Sequence, residues 1–490
     1  MKNKQLKNII KGVFILILIN LSNCNTTIAQ PVTWYIPWQN KTSNLQVVPN
    51  TQAIPVLLNS KNYRILKVRN TTTFGIKLSF SKIIVSNKNV SVKISSLPAM
   101  RDFKNNEILD VILPLNLTQS ITLPPISSAY FLIEYSGLQA GNASVSFSLN
   151  RNIPTFSQSV VVGTAQSSNQ LNLNVWAYFN NPLIEGLKTT VLNDLTDHKV
   201  NVLVIPPAAL PSVTAGDINT TKLSDYLEGT NGRFSKYLLF MNYKSSADFM
   251  SDAWKTNFLN WYQATRQAFV ASGIDFSKAV LYPFDEPDLT NATKLVAMIQ
   301  WCRSNNIASP FYTTLSAQGT GYLTQYVDIT QVYSGNESII NEVLNTQNRK
   351  SELWLYEIKA AGRNLEPTAY LNMGWKAQKQ GAKGIGAWNY CEVGSGFNKQ
   401  FSAITQSLMG TWGALTDDPV HDYSMIYRKG NDLFSSLRWA ALAFAKDDYD
   451  FINLYRSKYG KSKTETLINN LLNKTTSLTE WESIKLSLLQ

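Results

Sequence analysis

Between Leu171 and Asn389, eight short apolar runs alternate with segments of helical periodicity, and no other feature restricts the fold of this chain as tightly. The runs lie at 173–178, 200–205, 237–242, 279–284, 310–315, 327–333, 352–357 and 384–389. The helical segments lie near 184–198, 221–228, 251–272, 291–305, 317–324, 337–347 and 368–380. Parallel strands covered by helices on both faces read as short continuous apolar runs of this kind. Eight of them predict an α/β fold, a (β/α)8 TIM-like barrel over residues 171–432, near the ~250 residues usual for that architecture. An open doubly wound sheet shares the alternation, but it carries a glycine-rich phosphate loop after its first strand. Here that position holds Asn180-Asn181-Pro182.

The flanks read differently. Residues 31–165 show short alternating runs, such as Ile65–Arg69, Val90–Ile94 and Ala143–Ser148, split by Asn, Gly and Pro. That pattern predicts an N-terminal β-sandwich. The Ser/Gln-rich stretch Val160–Gln170 reads as a linker, and residues 433–490 as a C-terminal helical extension packed on the barrel, with Gly460 as a helix stop. Residues 1–29 have the form of an export signal: Lys2, Lys4, Lys7 and Lys11, then the apolar Val13–Ile19, then Thr27-Ile28-Ala29 before Gln30. A competing cut lies at Leu21-Ser22-Asn23-Cys24, which resembles a bacterial lipobox and would anchor the chain to a membrane through Cys24. Either route predicts export from a bacterial cell.

Removing the signal takes away four lysines and no acids, so the formal charge falls from +12 to +8. The remaining basic residues are scattered, which argues against a nucleic-acid partner. Cys302 and Cys391 have no paired spacing, and only His198 and His421 are present. A zinc site or a Ser-His hydrolase site is therefore not expected. Chemistry, if present, rests on carboxylates and aromatics, and a glycan is the partner class that suits them.

Against that background one segment stands out. In Leu281-Tyr282-Pro283-Phe284-Asp285-Glu286-Pro287 an apolar run ends in two adjacent acids, and a proline stops the strand. The acids thus fall at the C-terminal tip of strand 4, the end at which barrel enzymes carry their chemistry. The competing role is structural, a surface pair or a helix cap, with Asp288 and Thr290 also available as caps. The other strand ends bring Trp176, Asn242, Tyr312, Tyr333, Trp354, Tyr356, Glu357, Trp388 and Asn389 toward the same rim. Core packing is the competing role for each of those aromatics.

Two mechanisms fit these residues. In one, Glu286 is the general acid and Asp285 steadies a 2-acetamido group that attacks its own anomeric carbon. In the other, Glu286 is acid/base and Glu357 is the enzymic nucleophile, as in retaining glycosidases with carboxyls about 5–5.5 Å apart. For Glu357 the competing role is a rim acid paired with Lys359 or Arg363. A non-catalytic, carbohydrate-binding surface barrel is the alternative from another class.

Asp285-Glu286-Pro287 resembles the catalytic segment of glycoside hydrolase family 123 and the related DUF4091-type barrels. The resemblance continues at Leu353-Trp354-Leu355-Tyr356 and at Gly381-Ala-Lys-Gly-Ile-Gly-Ala-Trp388-Asn389. It extends through Tyr427–Gly430, Ser436–Trp439 and Asp447-Asp448-Tyr449, so that it covers roughly 170–460. It implies a secreted β-N-acetylgalactosaminidase-type hydrolase using substrate-assisted retention, with Asp285 on the acetamido group, Glu286 as proton donor, and no metal or organic cofactor.

Overall fold

A computed structural model describes residues 32–490, except 40, 50, 102–105, 118–119, 150–154, 169, 182–183, 214–217, 246–247, 359–365 and 392–423. The export signal with Cys24, His421, and the residues Lys359 and Arg363 thus lie outside the described residues.

The eight expected barrel strands all form. They are β1 (Asn172–Val175), β2 (Val202–Ile205), β3 (Lys236–Phe240), β4 (Ala279–Tyr282), β5 (Tyr312–Leu315), β6 (Ile329–Tyr333), β7 (Glu352–Glu357) and β8 (Gly384–Ala387). They run parallel in the order β4-β3-β2-β1-β8-β7-β6-β5. The ring is closed by a parallel bridge between Leu281 and Phe311, where the Leu281 N–H donates to Pro310 O at 2.8 Å. Every residue of β1, β2, β4, β5 and β8 is buried, because the barrel interior takes one side and the helices take the other.

The interior is filled by Val202, Val204, Leu238, Val280, Tyr282, Tyr312, Ile329, Trp354 and Tyr356. Room for the Trp354 indole comes from Gly384, where a Cβ would stand 2.4 Å from the ring.

The outer layer comprises α1 (Lys188–Asp197), α2 (Thr221–Leu227), α3 (Asp252–Ala271), α4 (Leu289–Ser304), a 3₁₀ turn (Gly321–Gln325), α5 (Glu337–Asn345) and α6 (Pro367–Gln380). The 3₁₀ turn stands where a helix over 317–324 was expected. Asp288 caps α4 by accepting the Asn291 N–H at 2.8 Å, so Asp285 and Glu286 are not needed as caps.

The N-terminal region is two packed sheets, antiparallel except where Ile54–Leu58 runs parallel to Phe156–Gln166. In Gly141–Leu149, Ala143, Val145, Phe147 and Leu149 are buried while Ser144, Ser146 and Ser148 turn away, the period of two that built the expectation. Two expectations about its edges need correction. Phe156–Gln166 is a strand of the four-stranded sheet, so the linker is confined to the residues after it. Residues 427–436, which follow the barrel in sequence, form a hairpin (Tyr427–Lys429 and Asp432–Ser436). It pairs with Val111–Pro114 and completes the eight-stranded sheet. The helical tail therefore starts at Leu437 and comprises α7 (Leu437–Tyr459), α8 (Lys461–Leu472) and α9 (Leu478–Leu489), with Gly460 at φ 83° between the first two.

Buried polar contacts join these parts. Arg438 pairs with Asp110 at 2.9 Å, Arg64 with Glu482 at 2.6 Å, and Lys485 with Asp448 at 3.2 Å and with Glu482. Burial pushes the Glu482 carboxyl up, but Lys485 and Arg64 overcome it and hold the group at about 2. Asp448 also accepts from the indoles of Trp375 and Trp481, each at 2.9 Å. The motif residues Arg438 and Asp448 are thus structural welds. His198 belongs to the same junction: it stacks on Trp439, contacts Asp194, and reaches Ser435 Oγ at 3.1 Å.

Candidate active site

Beyond β4 the pairing to the segment after β3 continues through Pro283. Met241 N–H donates to Tyr282 O at 2.8 Å and Tyr243 N–H to Pro283 O at 2.9 Å, so the strand's pairing outlasts its regular part, which ends at Tyr282 rather than at Glu286. Successive extended residues would send Asp285 and Glu286 to opposite faces. The structure avoids this with a left-handed Glu286, φ 44°, a conformation that costs a non-glycine residue about 1–3 kcal/mol. Both acids then lie on the wall of one cavity of about 250 Å³, with Trp176, Thr314, Tyr356, Ile358 and Trp388.

Each carboxyl is held on one side. Asp285 Oδ1 accepts from Tyr282 Oη at 2.5 Å and from Thr314 Oγ1 at 2.5 Å. The Thr314 hydroxyl also accepts the Glu286 N–H at 2.7 Å. Glu286 Oε1 accepts from Tyr356 Oη at 2.9 Å. Burial pushes the Tyr282 phenol well up, and Tyr312 and Asp285 add to it. Burial also raises the Tyr356 phenol, with Glu286 adding to it. Both tyrosines therefore stay protonated and donate to the carboxyl oxygens they face. Trp176 lies edge-on to Tyr356 at 5.8 Å and to Trp388 at 5.5 Å, so much of the rest of the cavity wall is aromatic.

The remaining expected residues divide by which way their strand turns them. Tyr333 supports the wall from behind, 6.0 Å from the Tyr356 ring. Tyr312 and Trp354 have the inward parity but lie deeper, fully buried in the barrel, where Tyr312 Oη donates to Gln331 and the Trp354 indole to Glu352 at 3.1 Å. They are core, not lining. Asn242 lines a separate cavity of about 380 Å³ with Tyr243, Trp254 and Trp261, beyond β2 and β3. Asn389 is buried and accepts the Cys391 N–H at 2.9 Å, which closes a local turn.

Glu357 is the main correction. Tyr356 points inward, so its neighbour points out to the helix layer, where Glu357 accepts from Ser334 Oγ at 2.8 Å and lies 3.7 Å from Lys376 of α6. It is 1% exposed and does not line the cavity. Three residues that do act at the cavity were not anticipated: Tyr282, Thr314 and Ile358. Strand parity held a signal for Thr314, which lies two residues beyond inward-facing Tyr312.

No family model matches the chain, and no curated protein matches it. Among solved structures, a family 123 glycoside hydrolase from Clostridium perfringens aligns over 94% of this chain and 97% of its own, at 10% identity and a TM-score of 0.61. The chain has the fold of a family 123 glycoside hydrolase. The resemblance read from the strand-end motifs thus extends to the whole architecture, sandwich, barrel and helical tail together. A family 39 glycoside hydrolase from Bacteroides cellulosilyticus WH2 aligns more loosely, at 8% identity, 81% and 82% coverage and a TM-score of 0.39. A family 2 β-galacturonidase from Eisenbergiella tayi aligns at 10% identity, 79% and 69% coverage and a TM-score of 0.38.

Proposed function

We propose that the chain is an exported glycoside hydrolase that removes a β-linked 2-acetamido sugar, with N-acetylgalactosamine favoured, by substrate-assisted retention. The observation that carries this reading is the placement of Asp285 and Glu286 in one aromatic-walled cavity while Glu357 faces away from it.

In the first step the acetamido carbonyl oxygen bonds to the anomeric carbon as the glycosidic bond breaks. The Glu286 carboxyl gives its proton to the departing oxygen. Positive charge develops on the amide nitrogen, and Asp285, with Oδ1 already occupied by two donors, accepts the N–H through its other oxygen. Water then attacks the anomeric carbon from the side the leaving group vacated. Glu286, now a carboxylate, takes the water's proton as the bond between the anomeric carbon and the acetamido oxygen breaks, which restores the acetamido group and gives the free sugar with retained configuration. Trp176, Trp388 and Tyr356 offer the apolar faces on which a sugar stacks.

Hydrolysis of 4-nitrophenyl β-N-acetylgalactosaminide, β-N-acetylglucosaminide, β-galactoside and β-glucoside tests the reading. Cleavage confined to the two acetamido sugars is expected. Cleavage of the plain hexosides would refute substrate assistance. Glu286→Gln should lose most activity on poor leaving groups and less on activated aryl glycosides, since those need less protonation. The Clostridium perfringens neighbour is described as hydrolysing glycolipid glycans, which makes a glycolipid oligosaccharide ending in β-N-acetylgalactosamine the natural-substrate class to test next.

A further inference from the structure

We infer that Thr314 is the positioning residue of the carboxylate pair, its single hydroxyl holding Asp285 and Glu286 in the arrangement the reaction uses; this rests on the functional reading above.

A threonine hydroxyl has one proton and two lone pairs. The Glu286 N–H reaches Thr314 Oγ1 at 2.7 Å and can only donate, so the oxygen accepts there. Its own proton goes to Asp285 Oδ1 at 2.5 Å. One atom therefore ties the backbone of one acid to the side chain of the other. Because Tyr282 Oη donates to the same Oδ1, that oxygen is saturated, and Oδ2 is the one left to face the substrate amide.

The backbone half of the contact matters as much. Glu286 is left-handed, and such a residue keeps that conformation only where its surroundings impose it. Two neighbouring threonines of β5 impose it from both ends of the turn. Thr313 Oγ1 donates to Phe284 O at 2.9 Å, and Thr314 Oγ1 accepts from Glu286 N. Both threonines are buried, and β5 is fixed in the barrel by its pairing to β6. The strand thus acts as a template for the turn beside it. Without the Thr314 contact, Glu286 can relax toward extended backbone, which swings its carboxyl away from the face that Asp285 occupies.

Thr314→Val keeps the shape and removes the hydroxyl, and Thr314→Ser keeps the hydroxyl. Kinetics on 4-nitrophenyl β-N-acetylgalactosaminide, inhibition by a thiazoline mimic of the cyclised intermediate, melting temperature and crystal structures of the full-length variants test the inference. The valine variant should lose about 10- to 150-fold in kcat, with KM within about threefold, and a parallel loss in thiazoline affinity. Its structure should show Glu286 released from the left-handed region. The serine variant should stay within about threefold of wild type. Tyr282→Phe removes the other donor on Oδ1 and should lower kcat without moving Glu286, which gives a second readout if the valine variant melts early. A valine variant with wild-type kcat and an unchanged Glu286, or a serine variant as impaired as valine, overturns the role. If wild type cleaves no 2-acetamido glycoside, the functional reading fails, and the crystal structures alone still decide whether Thr314 holds the turn.

Discussion

Replacing Tyr356 by Phe removes one hydroxyl from the cavity wall and leaves the ring in place. The ring keeps its contacts with Trp176 at 5.8 Å and Tyr333 at 6.0 Å, so the stacking surface for a sugar is preserved. What disappears is the 2.9 Å bond to Glu286 Oε1, which holds that oxygen of the proposed acid and leaves Oε2 for the glycosidic oxygen. A hydrogen bond to a charged partner, which Glu286 becomes as its proton leaves, is worth about 1.5–3 kcal/mol. At about 1.36 kcal/mol per decade, that corresponds to a loss of about 10- to 150-fold in kcat/KM. Because binding surface is retained, the loss should fall on kcat with KM nearly constant. Glu286 is only partly buried, so water can replace the lost donor and the melting temperature should drop by no more than about 2 °C. Nitrophenolate release from N-acetylgalactosaminides with good and poor leaving groups, alongside a thermal melt, measures all three. A kcat/KM within twofold of wild type, or a loss wholly in KM, would refute the assignment of Tyr356 to the acid.

Three further outcomes are expected. Glu357→Gln should leave turnover within about threefold, because the side chain faces Lys376 and Ser334 behind the barrel; loss of orders of magnitude in activity would restore it as a nucleophile. Glu482→Gln should destabilise the protein at neutral pH by about 3 kcal/mol, since it strips Arg64 and Lys485 of a buried partner. The wild-type group is depressed, so its contribution is present above about pH 4.5 and is lost as the pH falls toward 2. Burial raises Asp448 beside it and opposes part of that slope. Urea titrations across that window should therefore show a shallower acid limb in the variant, and equal limbs would count against the cluster. Gly374→Ala should cost about 1–3 kcal/mol in the same assay, because its Cβ would stand 2.1 Å from Ala445 O, where α6 crosses α7 and neither backbone can give way; unchanged stability would show that the crossing is looser.

Much of the architecture was legible because it depends on local pattern. The barrel strands announced themselves as apolar runs of six or seven residues, and the sandwich as a period of two, as in Ala143-Ser-Val-Ser-Phe. Pattern failed where a segment's partner is distant in sequence. Asp432–Ser436 reads as the start of a helix, yet its edge is taken by Val111–Pro114, more than 300 residues earlier, and it becomes a strand. The candidate site divides in the same way. Trp176, Tyr356 and Trp388 reach the cavity from strand ends, as their positions indicated. Glu357 and Asn389 occupy equally good positions along their strands but turn away from it. Tyr312 and Trp354 face inward but too deep, because the sequence sets parity and not depth along the barrel axis.

The amino-acid sequence by itself determined the eight-fold strand and helix alternation and the placement of Asp285 and Glu286 just beyond the C-terminal end of β4, since apolar periodicity and a proline stop act over a few residues. Only the tertiary structure decided that Asp285 and Glu286 share one cavity. That outcome depends on a left-handed backbone at Glu286 and on hydroxyls from Thr314 and Tyr356, 28 and 70 residues away in the chain. A side chain's direction at a strand tip is set by the hydrogen bonds that meet it there, and those come from neighbours that only the closed barrel brings into reach.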